Sequence, residues 1–441
     1  MSHVHVLSYA LVFAAVLPMA AANAAPGELD AGFGDSGAGY TVEAFASSAS
    51  AEDLVVQSSG AIITAGTTTI RGFVYPILAR YTSTGALDAS FGAGGFAVPS
   101  TVNGGMVDSS AVAIDRDNLY QVIPAPDQEV LYVYGWNADG TPNFGFGVGA
   151  FVAVPIGAGV SSVVDIAVQG TRLIIASSGK NPATGDIDGV LVALDFSGRL
   201  DPTFATGGIA YASVALGAGS VDRYTGLAIQ PDGRIVAAGR SRDPGGDYDF
   251  LVSRFLPNGT PDPGFGASGH RRFSFGYENE FGRRAVIDSG GRVTVAGSVC
   301  KVEPTTGAER CFIGAARLKP DGNLDGDFGI GGRRVTDLNQ NMVVLDIGLD
   351  RGERAVVSGQ ALLDGVNSRA FLARYDGRGM LDASFGSGGV SEVGYGSASN
   401  YASAVMRYAS GTLVTAGSSF VVVDPLVPTF RKVMNVARFF E

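Results

Sequence analysis

Cys300, Cys311, His270 and a recurring aspartate are the side chains best placed by type and spacing to do chemistry in this sequence. The two cysteines flank residues 301–310, which contain Pro304 and Thr305-Thr306-Gly307 and read as the loop of a hairpin. They are expected at facing strand ends, joined as a disulfide with Cα atoms roughly 4.4–6.8 Å apart. Zinc is the rival reading, but zinc takes four ligands and His270 is the only histidine beyond the first few residues. His270 is followed by Arg271 and Arg272, with no nucleophile or paired carboxylate beside it, so it is no triad candidate. No catalytic, metal-binding or cofactor-binding residue is assigned. Asp186-Ile187-Asp188-Gly189 and residues 243–249 are acidic, glycine-rich loops that raise calcium as a cofactor; neither has EF-hand spacing, and solvated loops are the expectation.

The recurring aspartate is Asp30, Asp88, Asp201, Asp262, Asp325 and Asp382, and each precedes a phenylalanine at the same offset: Phe33, Phe91, Phe204, Phe265, Phe328 and Phe385. An active site is normally built once, so repetition argues for structure. An arginine stands at a fixed distance upstream in four copies, as Arg80, Arg254, Arg317 and Arg374. A charge-assisted hydrogen bond across one strand-to-strand turn is expected. One copy is degenerate, with Gly135, Asn143 and Phe146; another keeps Asp201 but has Ala193 in place of the arginine. A fifth arginine, Arg438, has no aspartate after it, and Asp30 has no arginine before it. Asp30 is therefore expected beside Arg438, with Phe33 filling the slot that Phe91 and Phe385 fill elsewhere.

These residues need elements that repeat with them. The phenylalanines recur every 55 to 63 residues. Each period holds a turn pair such as Ser59-Gly60 or Asp232-Gly233, read as a two-residue hairpin, then a strand read as ending in a small-Gly pair such as Ala65-Gly66 or Ala296-Gly297. A last strand follows, ending in the arginine and a bulky residue. Four strands in about 58 residues, repeated radially, describe a propeller blade. The expected fold is all-β: a seven-bladed β-propeller of four-stranded antiparallel blades, closed by pairing of the N- and C-terminal segments.

The pattern Gly-x-Leu-Asp-x-x-Phe-Gly-x-x-Gly, with upstream Asp-Gly, Val-x-Ala-Gly and Leu-Ala-Arg-Tyr, resembles the delta-60 repeat proteins of bacteria. The resemblance covers nearly all of the chain after its first residues. It implies a propeller-like fold and an exported protein, and it implies no activity and no catalytic residue.

Composition agrees with this reading. A chain of 441 residues with 64 glycines and only 17% charged residues is too apolar for disorder. The net charge of −11, without a basic stripe, argues against nucleic acid. Residues 1–24 read as a signal peptide: Val6 to Leu17 is an apolar core, and Ala22-Asn23-Ala24 fits the small-x-small cleavage rule. Residues 25–441 then form one domain with no membrane span, periplasmic or extracellular, and expected to be monomeric.

Strand alternation puts the tight turns and the Leu-Asp-x-x-Phe-Gly turns on one face of the ring. The loops of variable length, such as residues 67–72, 178–189, 298–311 and 418–432, fall on the other. The expected function is non-catalytic binding of a protein, glycan or small molecule on that variable face. The alternative is a secreted hydrolase or lyase at the mouth of the central channel. Convergent carboxylates there would favour the enzyme, and an apolar or aromatic patch would favour the binder.

Overall fold

The computed structural model describes residues 24–34, 37–45, 48–100, 109–125, 129–158, 164–214, 217–363, 367–395, 399–408, 411–424 and 429–441. The signal-peptide reading lies almost wholly outside them. Among the described residues there is no helix.

Five sheets have four strands and one has eight. The eight-stranded sheet is two antiparallel four-stranded runs joined by a single parallel bridge between Ile187 and Val221. We number the four-stranded units in chain order: unit 1 within residues 53–97, unit 2 within 111–155, unit 3 within 165–212, unit 4 within 221–273, unit 5 within 279–336 and unit 6 within 341–393. In unit 7 the strands Ser399–Tyr408, Thr412–Asp424 and Thr429–Phe440 are completed by the N-terminal strand Tyr40–Glu43, which pairs antiparallel with the last of them in the register Tyr40 to Ala437 and Glu43 to Met434. No single sheet closes on itself among the described residues.

One contact repeats at each junction between units. The amide that follows each motif phenylalanine donates to a carbonyl in the turn of the next unit: Gly34 to Thr84, Gly92 to Asp139, Gly147 to Ser197, Ala205 to Asn258, Gly266 to Asp321, Gly329 to Arg378, and Gly386 back to Pro26. The phenylalanine lies against the turn glycine of that next unit. A Cβ on Gly259, whose φ is +84°, would come within 2.6 Å of the Phe204 ring. This is why the motif carries glycine and phenylalanine together. Phe33, Phe91, Phe146, Phe204, Phe265 and Phe385 are completely buried.

Two local readings are corrected. The small-Gly pair does not end its strand: Ile62–Ile70 and Val293–Val302 run through it. The glycine is there because the first strand of the unit bulges and drives a carbonyl onto it. The would-be Cβ of Gly239, Gly297, Gly359 and Gly417 lies within about 2 Å of the carbonyl oxygens of Arg223, Phe281, Val343 and Tyr401. The tight turns are also longer than two residues: Gln57 donates to the Ala61 carbonyl and Gly60 to that of Gln57. In one of them Glu353, not Gly352, takes the positive φ.

Candidate functional site

The repeated side chains form clasps between units. Arg80, Arg254, Arg317 and Arg374 donate through Nε to Asp88, Asp262, Asp325 and Asp382 at 2.7–3.0 Å. Arg438 Nε donates to Asp30 Oδ2 at 2.7 Å. Each guanidinium lies over its motif phenylalanine at 4.6–5.1 Å, Arg438 over Phe33 included. All but Arg374 also reach a carbonyl of the following unit, as Arg317 reaches Gly377 at 2.7 Å and Arg438 reaches Ser83 at 2.7 Å. Hydroxyls of Ser90 and Thr203 hold Asp88 and Asp201 below the ordinary carboxylate range. Asp201 is not without an arginine. Arg172, at the head of the second strand of unit 3, donates to it at 2.5 Å and covers Phe204 at 5.4 Å. The charge comes from the neighbouring strand, which a fixed-offset reading misses. In unit 2, Gly135 leaves space that the Phe146 side chain occupies.

Cys300 and Cys311 are disulfide-bonded. They pair directly across the hairpin, and their Cα atoms are 4.0 Å apart, closer than expected. Residues facing each other in an antiparallel pair sit nearer than the average bonded cysteines do. Glu309 also approaches the sulfurs. His270 Nδ1 meets Ser253 Oγ at 2.8 Å. Ser253 is fully buried, so this pair has no access for a substrate. In the acidic loops Asp188 is bonded by Asn181 and Ser213, and Asp186 accepts from the Gly219 amide. Arg272 bridges Asp243 and Asp249. Protein donors thus reach Asp186, Asp188, Asp243 and Asp249.

The convergent site was not singled out from sequence. The first strands of all seven units line a cavity of about 400 Å³. Its ceiling is Arg284, which meets Asp165 at 2.6 Å, Asp346 at 3.3 Å and Asp53 at 3.5 Å. These residues come from units 5, 3, 6 and 1. The three carboxylates are almost wholly enclosed, at 5%, 3% and 7% exposure. The second oxygen of each accepts an amide from the adjoining unit: Val112 to Asp53 at 3.0 Å, Leu227 to Asp165 at 2.7 Å and Val405 to Asp346 at 2.8 Å. Each aspartate thus ties the first strands of two units together beside the cavity. Burial pushes Asp165 and Asp346 up to about 6 against the pull of Arg284. Burial also works against the charge on Arg284, but Asp165, Asp346 and Asp53 hold it firmly cationic.

Above this layer, towards the heads of the first strands, lies a second pocket of about 270 Å³. Its lining includes Glu52, Ser110, Thr225, Arg283, Tyr401 and Ser403. Thr225, Arg283 and Ser403 are the extra residues of first-strand bulges, which is how the small-Gly pair positions the site. Lys432 joins them, 3.8 Å from Glu52 and 5.5 Å from the Tyr401 ring. Asp53, Asp165 and Asp346 each head a strand-like apolar run (Asp-Leu-Val-Val, Asp-Ile-Ala-Val, Asp-Ile-Gly-Leu), and that was the available signal.

A family described as a domain of unknown function (DUF5122) beta-propeller matches residues 57–91 and 230–265, which run from tight turn to motif phenylalanine in units 1 and 4. The match supports a β-propeller repeat family. No curated protein matches the sequence. Among solved structures, the polysaccharide lyase Uly1 superposes with a TM-score of 0.50 at 11% identity, covering 88% of this chain and 90% of that one. The beta-propeller domain of the Trilobed protease from Pyrococcus furiosus gives 0.41 at 11% identity, over 86% and 94%. A protein of unknown function from Dyadobacter fermentans gives 0.42 at 10%, over 91% and 98%. At 11% identity the likeness to the lyase is one of fold alone.

Proposed function

We propose that residues 25–441 form an exported, monomeric seven-bladed β-propeller of the delta-60 repeat type, which binds a ligand without catalysis at the mouth of its axial cavity. The seven amide links that follow the motif phenylalanines, six from Gly and one from Ala205, with the last running from Gly386 to Pro26, support a ring of seven blades closed by its two ends. The pairing of Tyr40–Glu43 with the C-terminal strand supports the same closure. A disulfide and the lack of any helix long and apolar enough to cross a membrane among the described residues are compatible with export.

The observation that carries the non-catalytic reading is the state of the axial carboxylates. Three of them converge, as an enzyme would require, but every one is fixed by a backbone amide and shares one guanidinium. A general acid or base must be able to reach a substrate proton, and these groups are spent on joining blades. What faces the mouth is a set of hydroxyls with Arg283, Lys432 and the carboxylate of Glu52, suited to holding a polar ligand.

The test pairs a glycan array with a product-release assay on the same saccharides, using the full chain and a Ser403→Trp variant that fills the mouth. Binding that Ser403→Trp abolishes, with no product released, is expected. Product release that Ser403→Trp abolishes would establish the hydrolase or lyase instead. N-terminal sequencing of the protein recovered outside the cytoplasm should begin at Ala25.

A further inference from the structure

The mouth is not electrically uniform. Beside Arg283 in its lining, where units 4 and 5 meet, three more arginines gather on neighbouring strands. Arg223 and Arg240 stand directly opposite each other in the register of the first two strands of unit 4, and Arg242 stands opposite Val221 one pleat further out. Arg283 is the bulge residue of the first strand of unit 5. The neighbouring Gly282 packs so closely on unit 4 that its would-be Cβ lies 2.1 Å from the Gly239 carbonyl oxygen, which sets Arg283 beside Arg240. Thr225 of unit 4 locks that bulge by donating to the Gly282 and Arg283 carbonyls at 2.8 and 2.7 Å. All four side chains are half-buried.

Like charges opposite one another in a sheet oppose folding. In an acidic protein a carboxylate would be the ordinary remedy, yet among the described residues Arg240, Arg242 and Arg283 form no ion pair. Asp222 accepts from the Val214 amide, and Asp243 and Asp249 are taken by Arg272. Aromatic rings hold the cluster instead. Arg240 is flanked by Tyr248 at 4.3 Å and Phe281 at 4.8 Å, and Arg242 lies over Tyr248 at 4.7 Å. Rings against its faces leave a guanidinium only its edge, where the N–H groups point in one plane. That edge matches two oxygens of a planar or tetrahedral oxyanion. The Nε of Arg242 and of Arg283 are buried without a hydrogen-bond partner in the protein. Arg283 also lines the mouth pocket, so the cluster and the pocket are continuous.

We propose that Arg240, Arg242 and Arg283, with Arg223 behind them, form an oxyanion site that takes the carboxylate or sulfate group of an acidic saccharide. This rests on the reading of the mouth as a ligand site and gives that ligand its charge. An acidic saccharide fits better than single-stranded nucleic acid, because the rings that would stack on bases are covered by the arginines themselves.

The test is equilibrium binding of the full chain to polygalacturonate, which offers carboxylates, to heparin, which adds sulfates, to dextran as a neutral chain, and to single-stranded DNA, in 50 and 300 mM salt. Binding to one or both acidic glycans, weakened at high salt and absent for dextran, is expected. Arg283→Gln should weaken it tenfold or more, and Arg240→Gln/Arg283→Gln further. Arg378→Gln, which removes an exposed charge on the opposite face, should leave it unchanged. Arg283→Lys keeps the charge but loses the fork, and intermediate binding from a folded variant is expected. Binding to dextran alone, or to neither acidic chain, would overturn the inference; the dextran result would leave the mouth a ligand site. DNA bound as tightly as either glycan would also overturn it. Cleavage of an acidic glycan that still depends on Arg283 would uphold the oxyanion site and overturn only the non-catalytic reading.

Discussion

Removing Arg284 should destabilise the fold by an amount that depends on pH. In Arg284→Met, Asp53, Asp165 and Asp346 lose their common cation and keep only backbone amides, one each at Oδ2 and, for Asp53 and Asp165, a second at Oδ1. Stripping one partner from a buried ion pair costs about 3–5 kcal/mol, and this substitution leaves three enclosed carboxylates close together. A domain of this length has an unfolding entropy near 0.9 kcal/mol per degree, so the melting temperature at pH 8 should fall by about 3–6 °C. Asp165 and Asp346 titrate near 6 in the folded chain, above the value of about 4 expected when unfolded. Between about pH 4 and pH 6 the folded state therefore holds more protons than the unfolded one. Through that window stability falls as pH rises and is regained as pH falls. At pH 5 both carboxyls are mostly neutral, and the loss in Arg284→Met should shrink to half or less of its pH 8 value. Thermal melts by circular dichroism of both proteins at pH 5 and pH 8 decide the matter. No change in melting temperature at pH 8, or a loss at pH 5 as large as at pH 8, would refute the account of the axial cluster.

Three further outcomes follow from the clasps. Arg172→Gln should cost about 1–3 kcal/mol in urea unfolding, as much as Arg317→Gln, since both give up a charged hydrogen bond to a motif aspartate; a silent Arg172→Gln would show that Asp201 stands alone after all. Deleting residues 25–43 removes the strand on the edge of Thr429–Phe440 together with Phe33, whose burial alone contributes about 1.5–3 kcal/mol. The truncated chain should melt earlier than one lacking loop residues 303–308 and aggregate at lower concentration by light scattering. The Cys300→Ser/Cys311→Ser variant should lose about 3 kcal/mol, the value for closing a loop of this length. The intact protein should be two hydrogens lighter than its reduced form by mass spectrometry.

Much of the local order could be read from the chain because it is repeated. A motif that returns with Asp, Phe and Gly at fixed offsets reports a recurring turn, whatever lies around it, and the Cys300–Cys311 hairpin is local in the same sense. Short apolar runs between glycine turns marked the strands, and they do not alternate because strands such as Arg172–Lys180 and Ile187–Asp195 are buried on both faces. Arg172 was overlooked because a guanidinium can reach Asp201 from the neighbouring strand as well as from its own, and sequence offset does not record which. The small-Gly pair was visible, but its cause was not: a carbonyl from another strand presses on it. The axial cluster and the arginines of the mouth lay further still from view. Asp53, Asp165, Arg284 and Asp346 belong to four different units, and they meet only because seven first strands converge on one cavity. Repetition along the chain determined the elements and the contacts between sequence neighbours. Which unrepeated charges face one another across the cavity was decided by tertiary structure, because that juxtaposition depends on how the units pack together and on no single segment of the chain.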